Sequence, residues 1–203
     1  MTTLDLALIG NCGYSALIDR NGRYVWSCLP RIDGDPVFCS LIGGDVTPES
    51  IGFYDIDVED FSHSEQVYVE NTAIVVTTLY DSHGAGVEIT DFVPRFKQLE
   101  RVYRPTMSLR RLRPVNGNPR IRIRLRPAAN YGKARAETTF GSNHIRYTLP
   151  SLTLRLNTDV PLSYVLDEVP FLLDADYTLI LGPDETLSKG IADTGRDFFE
   201  RTR

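Results

Sequence analysis

Short runs of β-branched, aromatic and aliphatic residues recur along this chain, at residues 6–9, 16–18, 24–27, 51–56, 67–69, 72–80, 87–92, 106–112, 120–125, 144–149, 152–157, 162–166 and 177–181. Glycine, proline, asparagine and aspartate separate them, as in Ser82-His-Gly-Ala-Gly86, Pro114-Val-Asn-Gly-Asn118 and Gly141-Ser-Asn143. Runs of this content read as strands, and the residues between them read as turns. About a dozen strands at this spacing predict an all-β fold, a sandwich of two antiparallel sheets. Asn21-Gly22, between the second and third runs, is a two-residue hairpin signal. The clearest alternation is Arg120-Ile-Arg-Ile-Arg-Leu-Arg126. Period two turns Ile121, Ile123 and Leu125 toward a core and the four arginines to the other face.

The C-terminus breaks the β pattern. Asp193 or Thr194 can cap a helix that begins at Gly195 and carries Phe198 and Phe199. So short a helix is marginal alone, and both aromatic rings need cover. It reads as the start of a linker to another domain or as a tail docked on the sandwich. Residues 1–192 are taken as one β domain and 193–203 as the beginning of that helix.

Composition supports an ordinary folded domain. The chain has 203 residues, 42% hydrophobic and 24% charged. No apolar run reaches the ~20 residues of a membrane span, and the first residues lack the basic start and apolar core of a secretory signal. Cys12, Cys28 and Cys39 form no CxxC and read as reduced, mostly buried thiols, so a cytoplasmic location is expected. One disulfide stays open in an oxidising compartment.

The net charge of −5 hides an asymmetry. Residues 95–126 hold eleven Lys/Arg and one acid, Glu100, which sets +10 there against −15 elsewhere. Nucleic acid is therefore a hypothesis to weigh. The strict alternation of 120–126 argues against it, and no aromatic RNA-binding motif, zinc-finger spacing or recognition helix accompanies the arginines. A solvated or internally paired face is the first reading, a domain interface the second and nucleic acid the third.

Candidate chemistry is sparse. His63 and His83 sit among turn residues, His144 starts a strand, and no GxSxG elbow is present. Asp33-Gly-Asp35 and Asp55-Ile-Asp57 lack the further oxygens of a calcium loop. Gly10-Asn-Cys-Gly13 and Gly43-Gly44 fit no phosphate-binding pattern. No metal or cofactor is expected, and no pair of the 27 acids stands out as catalytic. For the single tryptophan, Trp26, a core position is favoured over a sugar-stacking platform.

Two adjoining blocks carry a more specific signal. They are Ile9-Gly-Asn-Cys-Gly-Tyr-Ser-Ala-Leu-Ile-Asp-Arg-Asn-Gly22 and Val25-Trp-Ser-Cys-Leu-Pro-Arg-Ile-Asp-Gly-Asp-Pro-Val-Phe38. With Leu41-Ile-Gly-Gly44, Tyr68-Val-Glu-Asn-Thr-Ala-Ile74, Val87-Glu-Ile-Thr-Asp-Phe-Val-Pro94, Arg110-Arg-Leu-Arg113 and 122–132, they resemble the N-terminal domain of bacterial glycoside hydrolase family 15 proteins. These are the glucoamylase-like and trehalase-like enzymes. The resemblance implies an antiparallel supersandwich placed before an (α/α)6 barrel. That barrel holds the two glutamates, acid and base, that hydrolyse an α-glucosidic bond with inversion. No catalytic residue carries over onto this chain, which is expected to be inactive alone.

The expected role is packing on the barrel. Arg31, Asp33 and Asp35, in the loop 29–36, are the first candidates for contact with the barrel or with substrate at its rim. A self-contained turn with an internal Arg31–Asp33 pair is the alternative. The loop has Gly-Asp where the family usually shows Ser-Pro-Ser. Tyr131 and Lys133 are weaker candidates, with ordinary loop packing as the alternative. Phe198 and Phe199 are read as part of an interdomain linker. A stand-alone module for α-glucoside sugars remains the other function, and association of copies through the barrel-facing surface stays open.

Overall fold

The computed structural model describes residues 4–43 and 47–203. The first three residues and Gly44, which the sequence reading touched, lie outside them. In chain order the strands are β1 (Ala7–Gly10), β2 (Ser15–Ile18), β3 (Tyr24–Cys28), β4 (Pro36–Phe38), β5 (Phe53–Val58), β6 (Phe61–Tyr68), β7 (Val75–Asp81), β8 (Gly86–Phe92), β9 (Phe96–Gln98) and β10 (Arg101–Tyr103). They continue with β11 (Ser108–Val115), β12 (Arg120–Arg126), β13 (Ala128–Ala129), β14 (Ala134–Arg135), β15 (Glu137–Phe140), β16 (His144–Leu149), β17 (Leu152–Thr158), β18 (Phe171–Leu172) and β19 (Tyr177–Pro183). Two α-helices join them, α1 (Leu162–Leu166) and α2 (Ile191–Thr202).

Fifteen strands form two antiparallel sheets. The seven-stranded sheet runs β1-β2-β3-β5-β12-β18, with β4 on β3, and the eight-stranded sheet runs β15-β16-β17-β19-β11-β8-β7-β6. β9–β10 and β13–β14 are separate hairpins. The all-β sandwich expected from the sequence is thus present. Its core lies between the sheets, where alternate residues meet: Ile121, Ile123 and Leu125 from β12 face the same cluster as Val87 and Ile89, Leu154 and Leu156, and Leu179 and Leu181.

Four local expectations change. Residues 162–166 form α1 rather than a strand, because Leu162, Val165 and Leu166 also fit the i, i+3, i+4 spacing of a helix turn. Val67 and Tyr68 are only the end of β6 and Val69 lies beyond it; residues 62–66 before them are polar on both faces at the sheet edge. The loop at Asn21-Gly22 is longer than two residues: the Asp19 amide donates to the Arg23 carbonyl, and Gly22 takes a φ of 73°. Trp26 is half-buried and stands outside the core cluster.

One ion pair lies inside the sandwich. Arg110 and Asp91 are 1% and 0% exposed, with Arg110 Nε 2.8 Å and Nη2 3.0 Å from the carboxylate oxygens. The guanidinium sits 4.4 Å from the ring centroids of both Tyr24 and Tyr54 and donates to the Gly22 carbonyl at 2.6 Å. Tyr24 donates its hydroxyl to Asp91 at 3.1 Å. Burial pushes the Asp91 carboxyl up, opposed by the Arg110 charge and these hydrogen bonds. Because Arg110 and Asp91 come from the eight-stranded sheet, and Gly22, Tyr24 and Tyr54 from the other sheet and its turn, the group ties the layers together.

α2 docks on the outer face of the eight-stranded sheet. Phe198 and Phe199 pack with Ile74, Phe92, Leu109 and Ile180, which the helix covers almost completely. The helix starts at Ile191 after Gly190, ahead of the cap expected at Asp193 or Thr194, and Thr194 donates its hydroxyl back to the Gly190 carbonyl. Gly195 is where helix meets strand, since a Cβ there would lie 2.7 Å from Thr178 Cγ2. Helix propensity alone makes Gly→Ala favourable by about 0.5–1 kcal/mol. At this contact the sign reverses: Gly195→Ala is expected to lower the midpoint of urea unfolding.

Candidate functional site

Strand registers gather the candidate loops at one end of the sandwich. Ala16 pairs with Ser27, so the 11–14 turn before β2 and the 29–35 loop after β3 leave the sheet together. Arg126 pairs with Phe53, and Tyr24 with Tyr54 in the same antiparallel sheet, which brings residues 127–133 to that end as well. Asn11 fastens the third component. Its side-chain oxygen accepts from the Gly13 and Tyr14 amides, while Nδ2 donates to the Pro94 carbonyl at 3.0 Å and the Pro105 carbonyl at 2.8 Å. Those carbonyls are the two feet of the β9–β10 hairpin. Asn11 is 1% exposed, so the clasp is a buried and well-partnered amide.

Within this end the individual candidates differ. Arg31 and Asp33 form a two-pronged pair, Nε–Oδ1 2.8 Å and Nη2–Oδ2 2.7 Å, on a largely exposed loop. The Arg31 bond holds the Asp33 carboxyl below its usual value. The internal turn anticipated as the alternative therefore exists, and Asp35 stands exposed beside it. Tyr131 is 53% exposed in a loop where Asn130, Tyr131 and Gly132 all have positive φ. Lys133 is exposed, with its amide bonded to the Ala129 carbonyl. The two loops flank β4: Gly132 approaches Cys39 closely enough that a Cβ would lie 3.3 Å from its Sγ.

Sequence reasoning missed the β9–β10 hairpin. Leu99, at its tip, is 90% exposed with φ 48°, followed by Glu100 at 59°, and Val102 is 52% exposed. Asparagine and glycine are the usual occupants of such a turn. The one available signal was an apolar side chain placed between Gln98 and Glu100. Lys97, Arg101 and Arg104 form no salt bridge among the described residues. Phe198 joins the hairpin to α2, with ring centroids 5.4 Å from Phe96 and 5.7 Å from Tyr103, and Arg201 lies 3.8 Å over the Phe96 ring.

The arginine strand is an internally paired face. Arg124 meets Asp55 at 2.9 and 2.8 Å, Arg126 meets Glu168 at 2.7 and 2.6 Å, and Arg120 reaches Glu59 at 3.2 Å. Arg23 also reaches Asp55, and the guanidinium groups of Arg23, Arg124 and Arg126 all lie over the Phe53 ring. Most of the positive charge of this strand is thus matched locally. The histidines stay apart: His63 stacks on Tyr80, His83 is exposed, and His144 neighbours Asn143. The three thiols are free, Cys12 exposed and Cys28 and Cys39 buried. No group of three or more potential metal ligands occurs among the described residues, and no helix of the structure is long and apolar enough to cross a membrane.

Comparison with known proteins adds two matches. Residues 3–155 match the family described as trehalase-like, N-terminal. A trehalase of Thermoplasma volcanium is 24% identical over 167 residues, which cover 79% of this chain and 25% of that relative. The chain therefore spans about a quarter of the curated relative it matches. No solved structure matches.

Proposed function

Because the chain belongs to the trehalase-like N-terminal family, we propose that it is the non-catalytic partner of a glycosidase barrel. Its parent reaction is the inverting hydrolysis of an α-glucosidic bond, with both carboxylates supplied by the barrel. The observation that carries this reading is the convergence of the 29–36 loop, the 127–133 loop and the β9–β10 hairpin at one end of a rigid sandwich. Loops held this way are suited to contact a neighbouring domain. Leu99 and Val102 supply apolar contact, Lys97 and Arg101 seek carboxylates, and Arg31, Asp35, Tyr131 and Lys133 line the same end. α2, fixed by Phe198 and Phe199, leads the chain from the sandwich toward the barrel.

The test is hydrolysis of trehalose and of maltose by this chain alone and after mixing with a separately produced barrel. No turnover alone, with activity or thermal stability gained on mixing, is the expected result. Turnover by the 203 residues alone would overturn the proposal.

A further inference from the structure

A cleft of about 490 Å³ opens where β12 and β16 approach α1. Its walls include Ile51, Leu125 and Val165, so an apolar face is available. Its charged lining consists of two acids, Glu49 and Glu168, and two arginines, Arg126 and Arg135. They pair within the wall, Glu168 with Arg126 at 2.6–2.7 Å and Glu49 with Arg135 at 3.4 Å. The cleft is therefore charge-balanced, and neither an anion nor a cation is favoured.

The polar atoms left over alternate in kind. Arg126 uses four of its five N–H donors, two on Glu168 and two, both from Nη1, on the Pro48 and Ser50 carbonyls. Each Glu168 oxygen accepts one bond from Arg126 and keeps a free lone pair. Thr138 and Tyr147 add hydroxyls from neighbouring positions on β15 and β16. Tyr147 is only 6% exposed, and its hydroxyl makes no hydrogen bond with the described residues. Its ring forms part of the cleft wall. Glu168 itself has a φ of 50°, a backbone position that costs a non-glycine residue and places its carboxylate opposite Arg126.

Fixed acceptors, free hydroxyls and an apolar wall match a neutral ligand bearing several hydroxyl groups, each of which both gives and takes a hydrogen bond. The volume lies within the range of small-molecule sites, about 300–1,000 Å³. We propose that this cleft binds a neutral sugar of one or two rings, through Glu168, Tyr147, Thr138 and Arg135. The site is built by this domain alone and does not depend on docking to a barrel, so its failure would leave the preceding proposal standing.

The experiment is an amide NMR titration of the 203-residue chain with glucose, maltose and trehalose, with gluconate and glucosamine as charged counterparts. Saturable shifts centred on Arg135, Thr138, Tyr147 and Glu168 are expected, larger for the neutral sugars than for the charged ones. Thr138→Trp places a large ring at an exposed strand position on the mouth and should weaken binding at least about tenfold, equivalent to ~1.4 kcal/mol. Tyr147→Phe keeps the ring and removes only the hydroxyl, and should weaken binding several-fold with an unchanged fold. Absence of saturable shifts up to sugar solubility, binding that survives Thr138→Trp, or preference for a charged analogue would each overturn the assignment.

Discussion

Replacing Arg110 by methionine is expected to cost about 3–5 kcal/mol of folding stability, because it strands the Asp91 carboxylate in the core without its partner. A domain has roughly 5–15 kcal/mol to lose, so the variant approaches the unfolding threshold. The effect extends past one ion pair. Arg110 also donates to the Gly22 carbonyl and fills the gap between the Tyr24 and Tyr54 rings, so its loss unties a turn and two aromatic contacts together. Urea unfolding measures the cost. The double variant Arg110→Met with Asp91→Leu removes both charges and should regain most of the loss, since apolar replacement of a whole buried pair is often close to neutral. A double variant no better than the single one would place the cost in cavity and packing rather than in the abandoned charge.

Removing α2 is the second large change. A chain ending at Gly190 uncovers Ile74, Phe92, Leu109 and Ile180, each at most 1% exposed when the helix is docked. It also withdraws the half-buried Phe198 and Phe199. Counting each of these six side chains as about half of a full burial, at 1.5–3 kcal/mol for full burial of a large apolar side chain, the expected loss is roughly 5–9 kcal/mol. The uncovered side chains form a contiguous apolar patch, and such patches recruit other molecules. The shortened chain should therefore bind a hydrophobic dye and self-associate, while the full chain does neither to the same degree. Light scattering and dye fluorescence at matched concentrations check this.

The parts of the fold legible in the sequence are those where one face is apolar and the other polar. β12 reads directly because Ile121, Ile123 and Leu125 alternate with arginine. β6 does not, because its inward side chains are themselves polar: Ser64 bonds to Asn21 and Gln66 to the Asp19 carbonyl. β15 is exposed at every position and carries no alternation of burial. α1 was lost because five apolar-rich residues satisfy either period. The buried ion pair left a trace that is easily passed over. Arg110 shares the face of Leu112 by simple alternation, and Asp91 that of Ile89, so both stand at core positions. Charged residues there read as surface until their partner is known, and the partner lies 19 residues away.

The candidate site was legible in its pieces and not in its assembly. The 29–36 loop stands out by its prolines and charges, and 130–133 by its asparagine and glycine. That they share one end follows only from strand registers. Asn11 sits inside one of the resembling blocks, yet its bonds to Pro94 and Pro105 span more than 80 residues. The cleft escaped notice because α1 and Glu168 build one of its walls, and the sequence reading made α1 a strand.

The position of β19 bears on how the chain is made. It lies between β17 and β11, so until residues 177–183 exist the larger sheet is two fragments with open edges. The family match, residues 3–155, stops inside β17 and leaves β19 out. At about 5–20 residues per second, residues 177–183 follow the first strands by on the order of 10–40 s. Through that time the nascent polypeptide presents unpaired strand edges, the kind of surface prone to pairing with other chains. Expression boundaries drawn at the matched segment would make that transient state permanent.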